Sequence, residues 1–330
     1  MLSSYLFVSS LLSLGSLSTP ECTFRDQLNR YYRLQVISDH LLLQYHLILQ
    51  DQDPLPSYGL KLLLSFLERS PDIIHSVVKQ ELLATISQIL QSRTGRLDRG
   101  MVLSMVGLLD CMVCAKDVDI SELFNQGLID SLVSLFVDTA DIQNDHTLPE
   151  NESYVAILLP LLDSLNNTLK HVSREVRKAL QTTAESGSES TVQTQVAEKL
   201  LVESKPLVDM TGVLINFLCH EDQNIGDSAC KCLYLMVELF GGIYQDALSS
   251  ENIECFAEAL STADFKKQKQ LLRIVKRLLS SNSQQSNVAG NAQVLIVVLQ
   301  KLRKPTESGA EAVAVQGLAQ EILLKLGFAN

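Results

Sequence analysis

Apolar residues in this chain recur with a period of 3.6 and almost never with a period of 2. Leu60, Leu63, Leu64 and Leu67 fall at i, i+3, i+4 and i+7. Leu128, Leu132, Leu135 and Phe136 repeat the pattern, as do Leu271, Ile274, Val275, Leu278 and Leu279. Each set is one apolar stripe along an amphipathic helix, with polar residues on the other arc. Strand-type alternation is nearly absent, so a sheet-based core is excluded and the chain is expected to be all-α.

Breakers divide the pattern into about fifteen helical segments. Pro54 and Pro56 precede one starting near Ser57, and Ser70-Pro71-Asp72 reads as a stop followed at once by a start. Gly127 separates a short helix from Leu128–Val137, and Gly241-Gly242 ends a helix running from about Gly226. Ser249 stands where an N-cap is needed. Lys304-Pro305 closes the helix holding Val294–Leu302. Pro160 inside the apolar run Ala156–Leu165 predicts a kink or a restart. The polar runs Asp138–Glu152 and Thr182–Thr194 read as solvated loops.

The helical segments carry internal echoes. Val78-Lys-Gln-Glu-Leu-Leu, Phe124-Asn-Gln-Gly-Leu-Ile and Ala289-Gly-Asn-Ala-Gln-Val-Leu each place a polar turn before a Leu/Val-rich helix. A recurrence of about 40–47 residues is the armadillo/HEAT spacing. A single helix pair of this kind cannot bury its own stripe, so pairs stack on one another. The expected fold is an armadillo/HEAT-like α-solenoid of stacked helix pairs. Its organisation reads as an amino-terminal helix or truncated start at 1–22, repeats over 23–181, a Ser/Thr/Glu-rich loop at 182–194 and further repeats over 195–330. A plain helical bundle is the alternative.

Few chemical motifs are present. The sequence has no G-x-G-x-x-G, G-x-x-x-x-G-K-[ST], H-E-x-x-H, G-x-S-x-G, H-R-D or D-F-G, so no catalytic or cofactor-binding residues are assigned. Cys111-Met-Val-Cys114 is a C-x-x-C, but Val106–Val113 reads as mid-helix, where a redox pair is out of context, and zinc needs two more ligands. It is read as buried packing, and no metal is assigned. The six His are dispersed, and paired carboxylates such as Glu221-Asp222 fall at helix ends. Seven Cys, an odd number, fit a reducing compartment. Residues 1–20 have an apolar stretch without a leading Lys or Arg. A cleaved secretory signal, with glycans at Asn151 or Asn166, is thus the alternative to a cytoplasmic chain. No apolar run is long enough for a transmembrane helix.

One charge feature stands out. The net charge is −11, yet Lys266, Lys267, Lys269, Arg273, Lys276 and Arg277 form a run with no acidic residue among them. At helical spacing they lie opposite the stripe of Leu271, Ile274, Val275 and Leu278, a local positive strip suited to acidic peptides, tubulin tails or anionic lipid. Lys170, Arg174, Arg177 and Lys178 form a weaker second group. Aromatics are interleaved with neither, which argues against single-stranded nucleic acid.

Pro54-Leu-Pro-Ser-Tyr-Gly-Leu-Lys-Leu-Leu, Phe124-Asn-Gln-Gly-Leu and Ala229-Cys-Lys-Cys-Leu with Gly241-Gly242 occur in that order, followed by Leu248-Ser-Ser-Glu-Asn-Ile-Glu-Cys-Phe-Ala and Lys269-Gln-Leu-Leu-Arg-Ile-Val-Lys-Arg-Leu. Over about residues 50–300 the series resembles the carboxy-terminal armadillo/HEAT-repeat region of the fourth unc-51-like kinase family, pseudokinases related to the Fused kinases and the plant RUNKEL protein. That resemblance implies a repeat scaffold carried behind a catalytically defective kinase-like domain, and a link to cilia, microtubules and neural development. The kinase-like motifs do not occur here, so ATP binding and phosphoryl transfer do not carry over; the chain reads as a fragment, an alternative product or an incomplete gene model. The expected role is a non-enzymatic scaffold in the cytoplasm, at the cilium or on the cytoskeleton, binding helical or extended segments of other proteins. Tubulin is a second partner class, reached through the basic strip.

Overall fold

The computed structural model describes residues 40–52, 54–92, 99–116, 118–144, 152–186, 192–241, 245–281, 292–304 and 309–328. The chain forms two compact units, Met1–Gln44 and Tyr45–Asn330. The described part of the first is 40–44, with a 3-10 turn at Leu42–Gln44. The expected helix at 1–22, Cys22, the secretory signal and Asn151 lie outside the described residues.

In the second unit the described residues form fifteen α-helices and no strand. They are α1 (Tyr45–Leu49), α2 (Leu55–Arg69), α3 (Ile74–Lys79), α4 (Leu82–Ser92), α5 (Arg99–Cys114), α6 (Ile120–Asn125), α7 (Leu128–Asn144) and α8 (Glu152–Ser186). Then follow α9 (Val192–Glu203), α10 (Thr211–Phe217), α11 (Gln223–Phe240), α12 (Ser250–Thr262), α13 (Phe265–Ser281), α14 (Gln293–Leu302) and α15 (Ala310–Lys325). The architecture is all-α and HEAT-like, as the period implies.

Twelve of the fifteen described helices lie in two rows, and α3, α6 and α9 stand outside them. One row runs α1, α4, α7, the 3-10 segment Lys205–Met210, α10, α12 and α14; the other runs α2, α5, α8, α11, α13 and α15. Each helix packs on its neighbours within a row, and α1·α2, α7·α8, α10·α11, α12·α13 and α14·α15 pack across. The apolar stripes fill the space between. Leu60, Leu63, Leu67, Leu128, Leu132, Leu135, Leu271, Ile274, Val275 and Leu278 are all buried. At the first crossing, buried Tyr45 donates its hydroxyl to the Gly59 carbonyl at 2.5 Å. A Cβ on Gly59 would sit 3.0 Å from Ile48 Cγ2, so the small residue sets the approach of α1 to α2.

Local signals hold at many helix ends. Asp119, Asp222 and Ser249 cap α6, α11 and α12 by accepting backbone N–H bonds from Ser121, Asn224 and Asn252. Gly241 ends α11 at φ +67°.

Two expectations are corrected and a third is narrowed. Residues 138–144 belong to α7, and 182–186 and 192–194 belong to α8 and α9, so the two polar runs are helical at those positions. The reason is local: Thr139, Thr182 and Thr183 return their hydroxyls to the carbonyls of Leu135, Lys178 and Ala179, which satisfies their polarity inside a helix. Residues 145–151 and 187–191 lie outside the described residues. Pro160 does not restart a helix, because α8 runs through it. Packing of α8 against α5 on one flank and α11 on the other outweighs the missing backbone bond.

Candidate interaction face

The second row presents an outer face to which α5, α8, α11, α13 and α15 contribute in turn. Polar bridges cross each junction. Ser164 on α8 donates to Asp110 on α5 at 3.3 Å, and the Cys232 thiol on α11 donates to the Leu162 carbonyl on α8. Arg177 on α8 pairs with Glu238 on α11 at 3.0 Å. Lys267 on α13 reaches back to Asp227 on α11 at 2.8 Å, and Lys276 pairs forward with Glu321 on α15.

The basic run therefore divides into two functions. Lys267, with 17% of its side chain exposed, and Lys276 tie α13 to the helices on either side. Lys266, Lys269, Arg273 and Arg277 lie along the outward arc, and among the described residues none has an ion-pair partner. The apolar side of α13 is buried through Leu271, Leu272, Ile274, Val275, Leu278 and Leu279. Four charges are thus displayed, not the six that helical spacing alone puts on one arc.

Between α11 and α13 lies an open cleft of about 380 Å³, lined by Tyr234, Val237, Glu238, Arg273, Ile274 and Arg277. Tyr234 and Glu238 stand one turn apart on α11, as Arg273 and Arg277 do on α13. The Arg177 guanidinium reaches the Glu238 carboxylate from α8. This links the two basic groups read separately in the sequence. Tyr234 and Glu238 were not singled out there, because residues about 40 apart meet only when helices stack by repeats. An aromatic ring does stand among the arginines, contributed by the neighbouring helix.

The C-x-x-C differs from expectation. Cys114 is exposed and its thiol donates to Asp110 Oδ1 at 3.1 Å; Cys111 is half-buried. Partial burial and the Asp110 charge push Cys111 up to about 11 and Cys114 up to about 12, which keeps both as thiols rather than nucleophilic thiolates. Among the described residues, no three His, Cys, Asp or Glu side chains gather as a metal would require. Asn166 is buried in α8, so that sequon is not a surface loop. Among the described residues, no helix is long and apolar enough to cross a membrane.

Comparison by sequence with known proteins points to HEAT repeats. Residues 25–75 match the family described as serine/threonine-protein kinase ULK4-like, HEAT repeats. Mouse serine/threonine-protein kinase ULK4 is 38% identical over 271 residues, which is 82% of this chain and 21% of that protein. The chain thus spans about a fifth of the length of that relative. Two crystal structures of engineered proteins overlay on 87% of the chain, at 16% and 15% identity and a TM-score of 0.46, and cover 99% and 96% of those proteins.

Proposed function

The chain carries a ULK4-like HEAT-repeat region, and from that premise we propose that it is a non-catalytic scaffold receiving an acidic segment of another protein on its second row of helices. The carrying observation is the outward arc of α13, where Lys266, Lys269, Arg273 and Arg277 have no ion-pair partner among the described residues, on a chain of net charge −11. Unpaired basic charge on an acidic molecule attracts acidic partners over a distance and orients them. Stacked helix pairs offer a long surface on which a helix or an extended peptide can lie.

Tubulin tails are the specific acidic partner that this arc suits best, and a place at cilia or on the cytoskeleton belongs to that reading. The test is co-sedimentation of the full chain with microtubules, beside titration of a labelled glutamate-rich peptide. A Lys266→Glu/Lys269→Glu/Arg273→Glu variant is the comparison; Lys267 is left intact because it holds α13 to α11. Salt-sensitive binding of the peptide, weakened by about tenfold or more in the variant, supports the acidic-segment reading. Pelleting that responds in the same way supports tubulin. Binding unchanged in the triple variant removes both.

A further inference from the structure

We propose that the cleft between α11 and α13 is a subsite for one anionic side chain, carboxylate or phosphoryl, of the docked segment, with Arg273 and Arg277 as its ligands and Arg177 as the residue that cancels Glu238. This rests on the scaffold reading and assigns it a specific contact.

Arg273 and Arg277 are like charges at i and i+4, a spacing that costs stability unless an anion stands between them. Neither has an ion-pair partner among the described residues, although Lys267 and Lys276 of the same helix both do. The planar guanidinium fork matches carboxylate and phosphate oxygens in pairs. The cleft has an apolar side in Val237 and Ile274 and an aromatic ring in Tyr234. Such walls displace water from one side of the bound anion and strengthen its charge-assisted bonds.

One acidic residue also lines the cleft, and alone it would repel the ligand. Glu238 is instead held by Arg177, Nη2 to Oε2 at 3.0 Å. Three arginines against one glutamate leave the cleft positive. The space is open and about 380 Å³, so it admits a side chain carried on a passing backbone and does not enclose a free metabolite.

The test uses the full chain and three short labelled peptides alike except at the centre, which is glutamate, phosphoserine or glutamine. Fluorescence anisotropy is read in low salt, with circular dichroism to confirm that each variant is folded. Arg273→Gln/Arg277→Gln should weaken the glutamate or phosphoserine peptide by about tenfold or more, and Lys266→Gln/Lys269→Gln by no more than about threefold. Glu238→Gln should tighten binding and Arg177→Gln weaken it, each by about two- to fivefold, and the Arg177→Gln/Glu238→Gln pair should return close to the parent. Tighter binding of the phosphoserine peptide than of the glutamate peptide identifies a phosphoryl ligand; equal binding identifies a carboxylate. Equal losses in the two double variants mean a diffuse arc, which overturns the subsite and leaves the scaffold reading standing. A parent chain that binds the glutamine peptide as well as the other two overturns both.

Discussion

The Gln126 side-chain amide donates to the Val78 carbonyl at 2.8 Å, which joins the turn before α7 to the last turn of α3, just ahead of α4. These are two of the three places where the sequence echoes itself, with Leu82 and Leu128 opening the two helices. The echo is therefore a physical contact between successive repeats. Gln126 is buried, and replacing it with Leu removes one of the two hydrogen bonds that the Val78 carbonyl accepts, the other coming from the Glu81 N–H. We expect a loss of about 0.5–1.5 kcal/mol, read as a lower denaturation midpoint by circular dichroism. A Gln126→Leu variant as stable as the parent would show that the contact contributes nothing.

Lys267 and Asp227 should behave unlike their neighbours. Removing one member of a partly buried pair leaves the other uncompensated, so Lys267→Met is expected to cost about 1–2 kcal/mol. Lys266→Met, on the open arc, should stay within about 0.5 kcal/mol. A double-mutant cycle with Asp227→Asn should give a coupling of about 1 kcal/mol. Equal costs at 266 and 267 would dissolve the distinction between tether and display.

Two backbone positions predict opposite signs. Glu81 has φ +52° between α3 and α4, a left-handed conformation that costs a side chain but not glycine. Glu81→Gly should raise stability by about 0.5–1 kcal/mol. Gly241 has φ +67° and ψ −144°, where essentially only glycine is at ease. Among the described residues its Cβ position meets only Ser281 Oγ, at 3.5 Å, so the roughly 1–3 kcal/mol lost in Gly241→Ala is conformational. Thermal midpoints of the two variants should move apart.

Alkaline pH should weaken the fold through its thiols. Burial pushes Cys230 up to about 12 and raises Cys232 well above the ordinary thiol range. The folded chain therefore keeps protons that the unfolded chain releases above about pH 8.5. Stability is fully present below that pH and falls as pH rises through it, by up to about 1.4 kcal/mol per pH unit for each thiol. Tyr45, raised by burial, adds to the decline once the pH passes the ordinary phenol range of about 10. A Cys230→Ala/Cys232→Ala variant should show a flatter dependence of thermal midpoint on pH, and an unchanged slope would contradict the assignment.

The helices were legible because their cause is local. A stripe such as Leu271, Ile274, Val275 and Leu278 states both the element and its buried side, and Gly241 and Ser249 state where elements end and begin. Thr139, Thr182 and Thr183 misled for the converse reason: polar composition resembles a loop until each hydroxyl finds the carbonyl one turn back. The basic run was visible, but its division was not, since Lys266 and Lys267 differ only in angle around α13. The cleft was invisible. Arg177, Tyr234 with Glu238, and Arg273 with Arg277 come from three helices whose spacing in the chain reflects repeat length, not chemistry.

Among the described residues of the second unit, each helix leans on the members beside it. The core is shared along the stack and has no single centre among them, so damage at one level softens a stretch while distant levels stay intact. Pulled at its ends, such a stack gives by small slips at many junctions in place of one abrupt rupture, and a partner lying across several levels stiffens the stretch that it spans.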